Sequence, residues 1–237
     1  MRNPILVALD VPSKDLALEL VRDLSPVVGG FKVGSELFTS AGPEITQAIR
    51  ATGASVFLDL KFHDIPNTVA KAVAAATRLD VQMLTIHASG GIEMMRAAER
   101  AAQETAGSAG HAPPLVLGVT VLTSMDSVAL SELGWKPDVG KQVERLAELA
   151  VRAGLRGLVC SPLEIARLRQ MLPEAVELVT PGIRTGDEPP DDQKRTLTAK
   201  QAIEAGANWL VVGRPIYANP NPRKAAEAIA ASVSDSL

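Results

Sequence analysis

The ten residues Asp59-Leu60-Lys61-Phe62-His63-Asp64-Ile65-Pro66-Asn67-Thr68 bring together carboxylates, an ammonium, an imidazole and a hydroxyl. They begin inside an apolar run, Ser55–Leu60, that reads as a strand. Side chains alternate across a strand, so Asp59 and Lys61 share one face. Upstream, Asp10 closes the run Ile5–Leu9, and Lys32 lies within the short run Phe31–Gly34. A lysine inside a buried strand loses its hydration and needs a partner. An alternating set of carboxylates and ammoniums keeps each member ionised and can hold a charged acid beside a charged base in a dry site. One such pair is as readily a salt bridge at a rim. Asp10, Lys32, Asp59 and Lys61, spread over three consecutive strand ends, point instead to chemistry.

A second constellation lies near the C-terminus. Thr180-Pro181-Gly182-Ile183-Arg184 opens a polar stretch, Pro181 to Asp192, and Asp191-Asp192-Gln193-Lys194-Arg195 closes it. Val211-Val212-Gly213-Arg214-Pro215 follows. Gly182 and Gly213 permit close backbone approach, and Arg214 offers a planar fork suited to phosphate. The polar stretch is expected to stay unpacked and is long enough to serve as a lid over residues 181–194. Thr123, at the end of a fifth strand, can contact a ligand or cap a helix. His87 reads as structural or supporting, and Cys160 as a small apolar core residue.

These groups need a scaffold that collects strand ends. Short apolar runs alternate with helical periodicity along the whole chain. The strands are expected at Ile5–Leu9, Phe31–Gly34, Ser55–Leu60, Gln82–His87, Leu115–Leu122, Gly157–Cys160, Val176–Thr180 and Trp209–Val212. Leu16, Leu20 and Leu24 mark the first helix, and Val139, Val143, Leu146, Ala150 and Ala153 a strong amphipathic one. Further helices are expected over residues 43–52, 67–79, 91–106, 125–134, 162–172, 198–206 and 222–233, with a loop from Gly107 to Pro114. Alternating β and α elements imply a parallel sheet with right-handed crossovers. Eight units in 237 residues imply an α/β protein with a single closed (β/α)8 barrel over residues 1–237. An open doubly wound sheet would carry an early glycine-rich phosphate fingerprint, which is missing after the first strand. In such barrels the active site gathers at the C-terminal strand ends, and phosphate sites use the loops after strands seven and eight.

Composition narrows the function further. A formal net charge of −3 gives no electrostatic case for binding nucleic acid or anionic membranes. Aromatic content of 3% leaves no base-stacking platform. A single cysteine excludes an intrachain disulfide and a cysteine-rich zinc site. His63, His87 and His111 are scattered, so no metal site is expected. The N-terminal apolar run is too short for a secretory core or a membrane span, and a cytoplasmic location is expected.

Together, DLKFHDIPNT (59–68), TPGIR (180–184) with Asp192-Gln193, LVVGRPI (210–216), Ala8-Leu9-Asp10 and Phe31-Lys32-Val33-Gly34 resemble the orotidine 5′-phosphate decarboxylase family in its bacterial form. The resemblance spans essentially the whole chain. It implies conversion of orotidine 5′-phosphate to uridine 5′-phosphate and CO2, the last step of de novo pyrimidine nucleotide synthesis, with no cofactor. It implies that Lys61 delivers a proton to C6 and that Asp59 sits beside the substrate carboxylate. Lys32, Asp59, Lys61 and Asp64 match the family's charged array, with Asp64 reaching the site of a partner subunit in a homodimer. Asp10 and Lys32 would contact ribose, as would Asp64 and Thr68 from the partner. Thr123 matches a pyrimidine contact, Gln193, Gly213 and Arg214 the phosphate site, and Arg184 a ligand contact in the closing loop. Two readings compete. A metal-dependent phosphosugar aldolase or decarboxylase of the same superfamily shares DxKxxD, but carries an acidic metal ligand where this chain has Lys32. A non-catalytic sensor of phosphoribosyl ligands would have lost a site residue, and none is lost.

Overall fold

The computed structural model describes residues 3–184 and 195–234. The strands are β1 (Ile5–Ala8), β2 (Gly30–Gly34), β3 (Val56–Phe62), β4 (Met83–His87), β5 (Leu115–Val119), β6 (Gly157–Val159), β7 (Glu177–Thr180) and β8 (Trp209–Val212). All pair in parallel with their sequence neighbours, and β8 closes on β1. Helices α1 (Lys14–Leu24), α2 (Ser35–Ala41), α3 (Glu44–Arg50), α4 (Pro66–Thr77) and α5 (Gly91–Ala109) follow the first four strands. Then come α6 (Ser127–Glu132), α7 (Val139–Ala153), α8 (Ile165–Met171), α9 (Ala199–Glu204), α10 (Arg214–Tyr217) and α11 (Pro222–Ser234). This is the closed (β/α)8 barrel expected from the alternation.

Strand periodicity divides the core in two. Leu6, Ala8, Phe57, Met83, Leu117, Val179, Trp209 and Val211 point into the barrel and fill it. Ile5, Val7, Val33, Leu58, Leu84, Leu158, Leu178 and Leu210 point outward into the larger layer beneath the helices. The inward row of β2 is Gly30, Lys32 and Gly34. A Cβ at Gly30 would lie 2.9 Å from the Ser55 carbonyl oxygen, so β2 and β3 approach closely only because that position is glycine.

Element boundaries differ from the sequence reading where local chemistry decides. α2 was not expected, because its seven residues are too few to show a period. α6 is six residues rather than ten; Asp126 caps it by accepting from the amides of Val128 and Ala129. α5 runs on to Ala109, where Gly110 stops it in the left-handed region, so the expected loop is shorter. The start of the polar stretch after β7 packs, contrary to expectation. Ile183 is buried, and it bridges to Leu197. The rest of that stretch, 185–194, lies outside the described residues.

Candidate active site

The C-terminal mouth of the barrel opens into a basin of ≈ 510 Å³. Asp10, Lys32, Asp59, Lys61, Thr123, Arg184, Gly213 and Arg214 all line it. Phe57, Val119, Val159 and Val211 form an apolar floor. Adjacent strand ends therefore bring the four charged residues of the first constellation together with the second.

The four charges form one connected array. Lys32 Nζ donates to Asp10 Oδ1 at 3.0 Å and lies 3.7 Å from Asp59 Oδ2. Lys61 Nζ donates to both Asp59 oxygens at 2.9 Å. Lys32 is buried, and these carboxylates are the partners its position demands. Gly34 makes room for the first pair, since a Cβ there would lie 3.0 Å from Lys32 Nζ and 3.2 Å from Asp10 Oδ1. Burial acts to raise the Asp59 pKa, but Lys32, Lys61 and hydrogen bonds from Lys61 and Thr85 outweigh it and hold it below the usual carboxylate value.

Lys61 reaches this position by a route that alternation does not describe. β3 continues through it to Phe62, but Lys61 has φ +49°, in the left-handed region. The β3–β4 register shifts between Leu58 and Phe62. Across this irregularity the Lys61 amide donates to Thr85 Oγ1 at 2.9 Å, and Thr85 Oγ1 donates to Asp59 Oδ1 at 3.0 Å. Thr85 was missed in the sequence. Its signal was weak: one hydroxyl residue inside Met83–His87, two positions before His87 on the inward face of β4.

In the second constellation, Arg184 follows Ile183, whose bridge with Leu197 fixes the backbone; the Arg184 amide donates to the Leu197 carbonyl at 3.0 Å. Gly182 has φ +81°, which explains a glycine there. Gly213 does not use that freedom. A Cβ on it would meet only ordinary contacts, with Tyr217, Ala8 and Asp10. Arg214 opens α10, and Gln193 lies outside the described residues. Thr123 sits in the loop past β5 rather than at its end, and the cap of α6 is Asp126, which leaves Thr123 facing the basin.

Asp64 and Thr68 do not join the array of their own chain. Both are exposed, and Asp64 accepts from the Ile65 amide at 2.6 Å. His87 packs against His63, with ring centroids 5.3 Å apart. Burial, reinforced by His63 and Lys61, lowers the His87 pKa and favours the neutral ring. Cys160 reaches the basin wall, but burial, aided by Glu164, pushes its thiol up to about 12, so it is not a thiolate nucleophile at neutral pH.

An ion pair between buried Glu164 and half-buried Arg195 was also missed. Glu164 closes a capping box with Ser161 and pairs with Arg195, which also donates to the Leu122 carbonyl at 3.0 Å. Arg195 thereby ties together the segments that follow β5, β6 and β7. Burial raises the Glu164 pKa despite the opposing Arg195 charge.

A closed parallel barrel whose C-terminal mouth holds an Asp–Lys–Asp–Lys array and two arginines has the architecture of a (β/α)8-barrel enzyme. The orotidine 5′-phosphate decarboxylase / HUMPS family model matches residues 3–229, and the chain belongs to that family. It is 53% identical over 235 residues to the orotidine 5′-phosphate decarboxylase of Opitutus terrae, covering 98% of this chain and 99% of that one. It is 50% identical to that of Nitrosococcus oceani over 234 residues, covering 99% of each. The crystal structure of orotidine 5′-phosphate decarboxylase from Lactobacillus acidophilus superposes with a TM-score of 0.87 at 36% identity, covering 98% of this chain and 99% of that chain.

Proposed function

We propose that the mouth of this barrel decarboxylates orotidine 5′-phosphate to uridine 5′-phosphate and CO2, with Lys61 as the proton donor. The carrying observation is the chain of contacts Asp10–Lys32–Asp59–Lys61 in a basin that Arg184 and Arg214 also line. The reaction breaks the bond between C6 of the pyrimidine and its carboxylate. CO2 leaves, the electron pair stays on C6, and a proton from Lys61 Nζ fills that position. Water then reprotonates the amine.

The chemical difficulty is charge at C6, which no adjacent carbonyl delocalises. A charge placed before the substrate arrives stabilises that carbanion without reorganisation. Asp59 grips Lys61 Nζ with both oxygens, so the donor's position is set in advance. Asp59 itself is held ionised by Lys32 and Lys61. Asp10 and Lys32 serve the ribose hydroxyls, Thr123 the pyrimidine, and Arg214 and Gly213, with Arg184, the phosphate; Gln193 is assigned to the phosphate by the family resemblance alone. Phosphate binding remote from C6 then contributes to the barrier as well as to affinity.

Asp64 and Thr68 complete the ribose site of a second copy, which makes the working unit a homodimer. Their exposure on the β3–α4 segment supports this reading, since neither serves its own basin. The Lys32 ammonium between two carboxylates opposes the metal-dependent alternative, because it fixes a positive charge where a divalent cation would need the oxygens. Among the described residues no helix is long and apolar enough to cross a membrane. The deciding test follows loss of the orotate ultraviolet absorbance when purified protein meets orotidine 5′-phosphate, with and without a chelator. Rapid loss in both is expected. Folded protein with no turnover, or turnover abolished by the chelator, refutes the assignment.

A further inference from the structure

We infer that Thr85 is a positioning residue for this reaction: its hydroxyl pins the backbone of Lys61 and one oxygen of Asp59 at the same time. The inference rests on the assignment of Lys61 and Asp59 above. Its basis is the break in the barrel between β3 and β4. Parallel pairing is regular at Phe57–Met83 and Leu58–Leu84, then resumes only at Phe62–Ile86. Between them Lys61 adopts φ +49°, a conformation that costs a non-glycine residue of order 1–3 kcal/mol and persists only when its surroundings enforce it.

A backbone amide in such a break has lost its ladder acceptor and is costly to leave unpaired inside a barrel. Thr85 Oγ1 replaces that acceptor at 2.9 Å. The same oxygen carries one proton, and it points at Asp59 Oδ1, 3.0 Å away. The proton thus goes to the carboxylate while a lone pair receives the amide. A donated hydrogen bond favours the ionised carboxylate, so one hydroxyl supports both the raised-φ turn that aims Lys61 and the charge that holds its ammonium. Thr85 is fully buried and does not line the basin, so it has no route to substrate contact. A residue needed only to fill that space would not require an oxygen; valine has the same shape and a higher apolar content.

The titratable groups around Asp59 are Lys32 on β2, Asp10 after β1, Lys61 on its own strand and His87 on β4, with His63 packed against the last. All remain in a Thr85 variant. Loss of the hydroxyl therefore removes one of several influences on Asp59, and the shift should be partial.

The test compares Thr85→Val with Thr85→Ser, measuring kcat, KM, the pH profile of kcat/KM and thermal stability. Wild type serves as the control, since an inactive wild type would refute the assigned reaction and not this role. Thr85→Val should lower kcat about 10- to 100-fold, the range for a lost hydrogen bond to a charged group, with KM changed by less than about threefold. The acid limb of its kcat/KM profile should move to higher pH. Thr85→Ser, which keeps the oxygen and loses the methyl, should retain kcat within about threefold even where packing loss lowers its melting temperature. If Thr85→Val does not fold, Thr85→Ala carries the same comparison with Thr85→Ser. A hydroxyl-free variant with wild-type kcat and acid limb overturns the inference. So does Thr85→Ser losing as much as the hydroxyl-free variant, which would place the role in packing.

Discussion

Replacing Lys32 with methionine keeps most of the side-chain stem and deletes the charge at the centre of the array. The Lys32 and Asp59 side chains are 11% and 13% exposed, and their charged atoms lie 3.7 Å apart. At an effective dielectric constant near 20, that separation corresponds to a gross attraction of about 4–5 kcal/mol. Asp10 is closer, at 3.0 Å, but its side chain is 44% exposed and solvent screens it, so it adds less than its distance implies. Truncating one partner of a buried pair costs about 3–5 kcal/mol, while the added apolar surface of methionine returns part of it. The expected net loss is about 3 kcal/mol at pH 7.

The pH dependence has a definite sign. Asp59 has a depressed folded pKa, so in the wild type its stabilisation is present above the unfolded value of about 3.9 and is lost as pH falls through the folded pKa. In Lys32→Met, the first of the charges opposing burial is gone and the folded pKa rises. The deficit relative to wild type should then be largest at neutral pH and shrink as pH falls into the range where the variant's Asp59 takes up its proton. Urea unfolding followed by circular dichroism at pH 7 and pH 5, at one protein concentration, measures both quantities. A loss below about 1 kcal/mol at pH 7, or a deficit that is larger at pH 5 than at pH 7, would refute the coupling of Lys32 to Asp59.

Arg214→Ala should lower kcat/KM for orotidine 5′-phosphate by about 100-fold or more, yet leave turnover of orotidine, which lacks the phosphate, nearly unchanged; equal losses on both would remove Arg214 from the phosphate site. Mixing the inactive variants Lys61→Ala and Asp64→Asn should restore up to about one quarter of wild-type activity after subunit exchange. Half the dimers are then mixed and each holds one intact site of two. No recovery despite demonstrated exchange would place Asp64 in its own chain's site. Arg195→Met should destabilise the fold by about 3–5 kcal/mol, because it strands the buried Glu164 carboxylate and frees the Leu122 carbonyl. Unfolding that matches wild type would show that this pair does not hold the three segments together.

Much of this site was legible along the chain. Eight apolar runs, each followed by helical spacing, required a parallel barrel, and a barrel collects strand ends at one mouth whatever lies between them. Charges that end consecutive strands must therefore meet, which is why Asp10, Lys32, Asp59 and Lys61 could be grouped from position alone. Arg184 and Arg214 followed from the same rule applied to strands seven and eight.

What tertiary structure alone decided concerns register and contacts across sequence. Alternation placed Asp59 and Lys61 on one face, but the turn at Lys61 and the register shift beside it arise from how β3 meets β4, which no run of residues in β3 reports. Thr85 acquired its partners 24 and 26 residues away, and Glu164 met Arg195 across 31. Hydrogen bonds of that span carry no local period, because their geometry exists only once the barrel closes. Strand periodicity and charge chemistry are properties of neighbours in the chain, whereas the pinning of Lys61 is a property of neighbours in space.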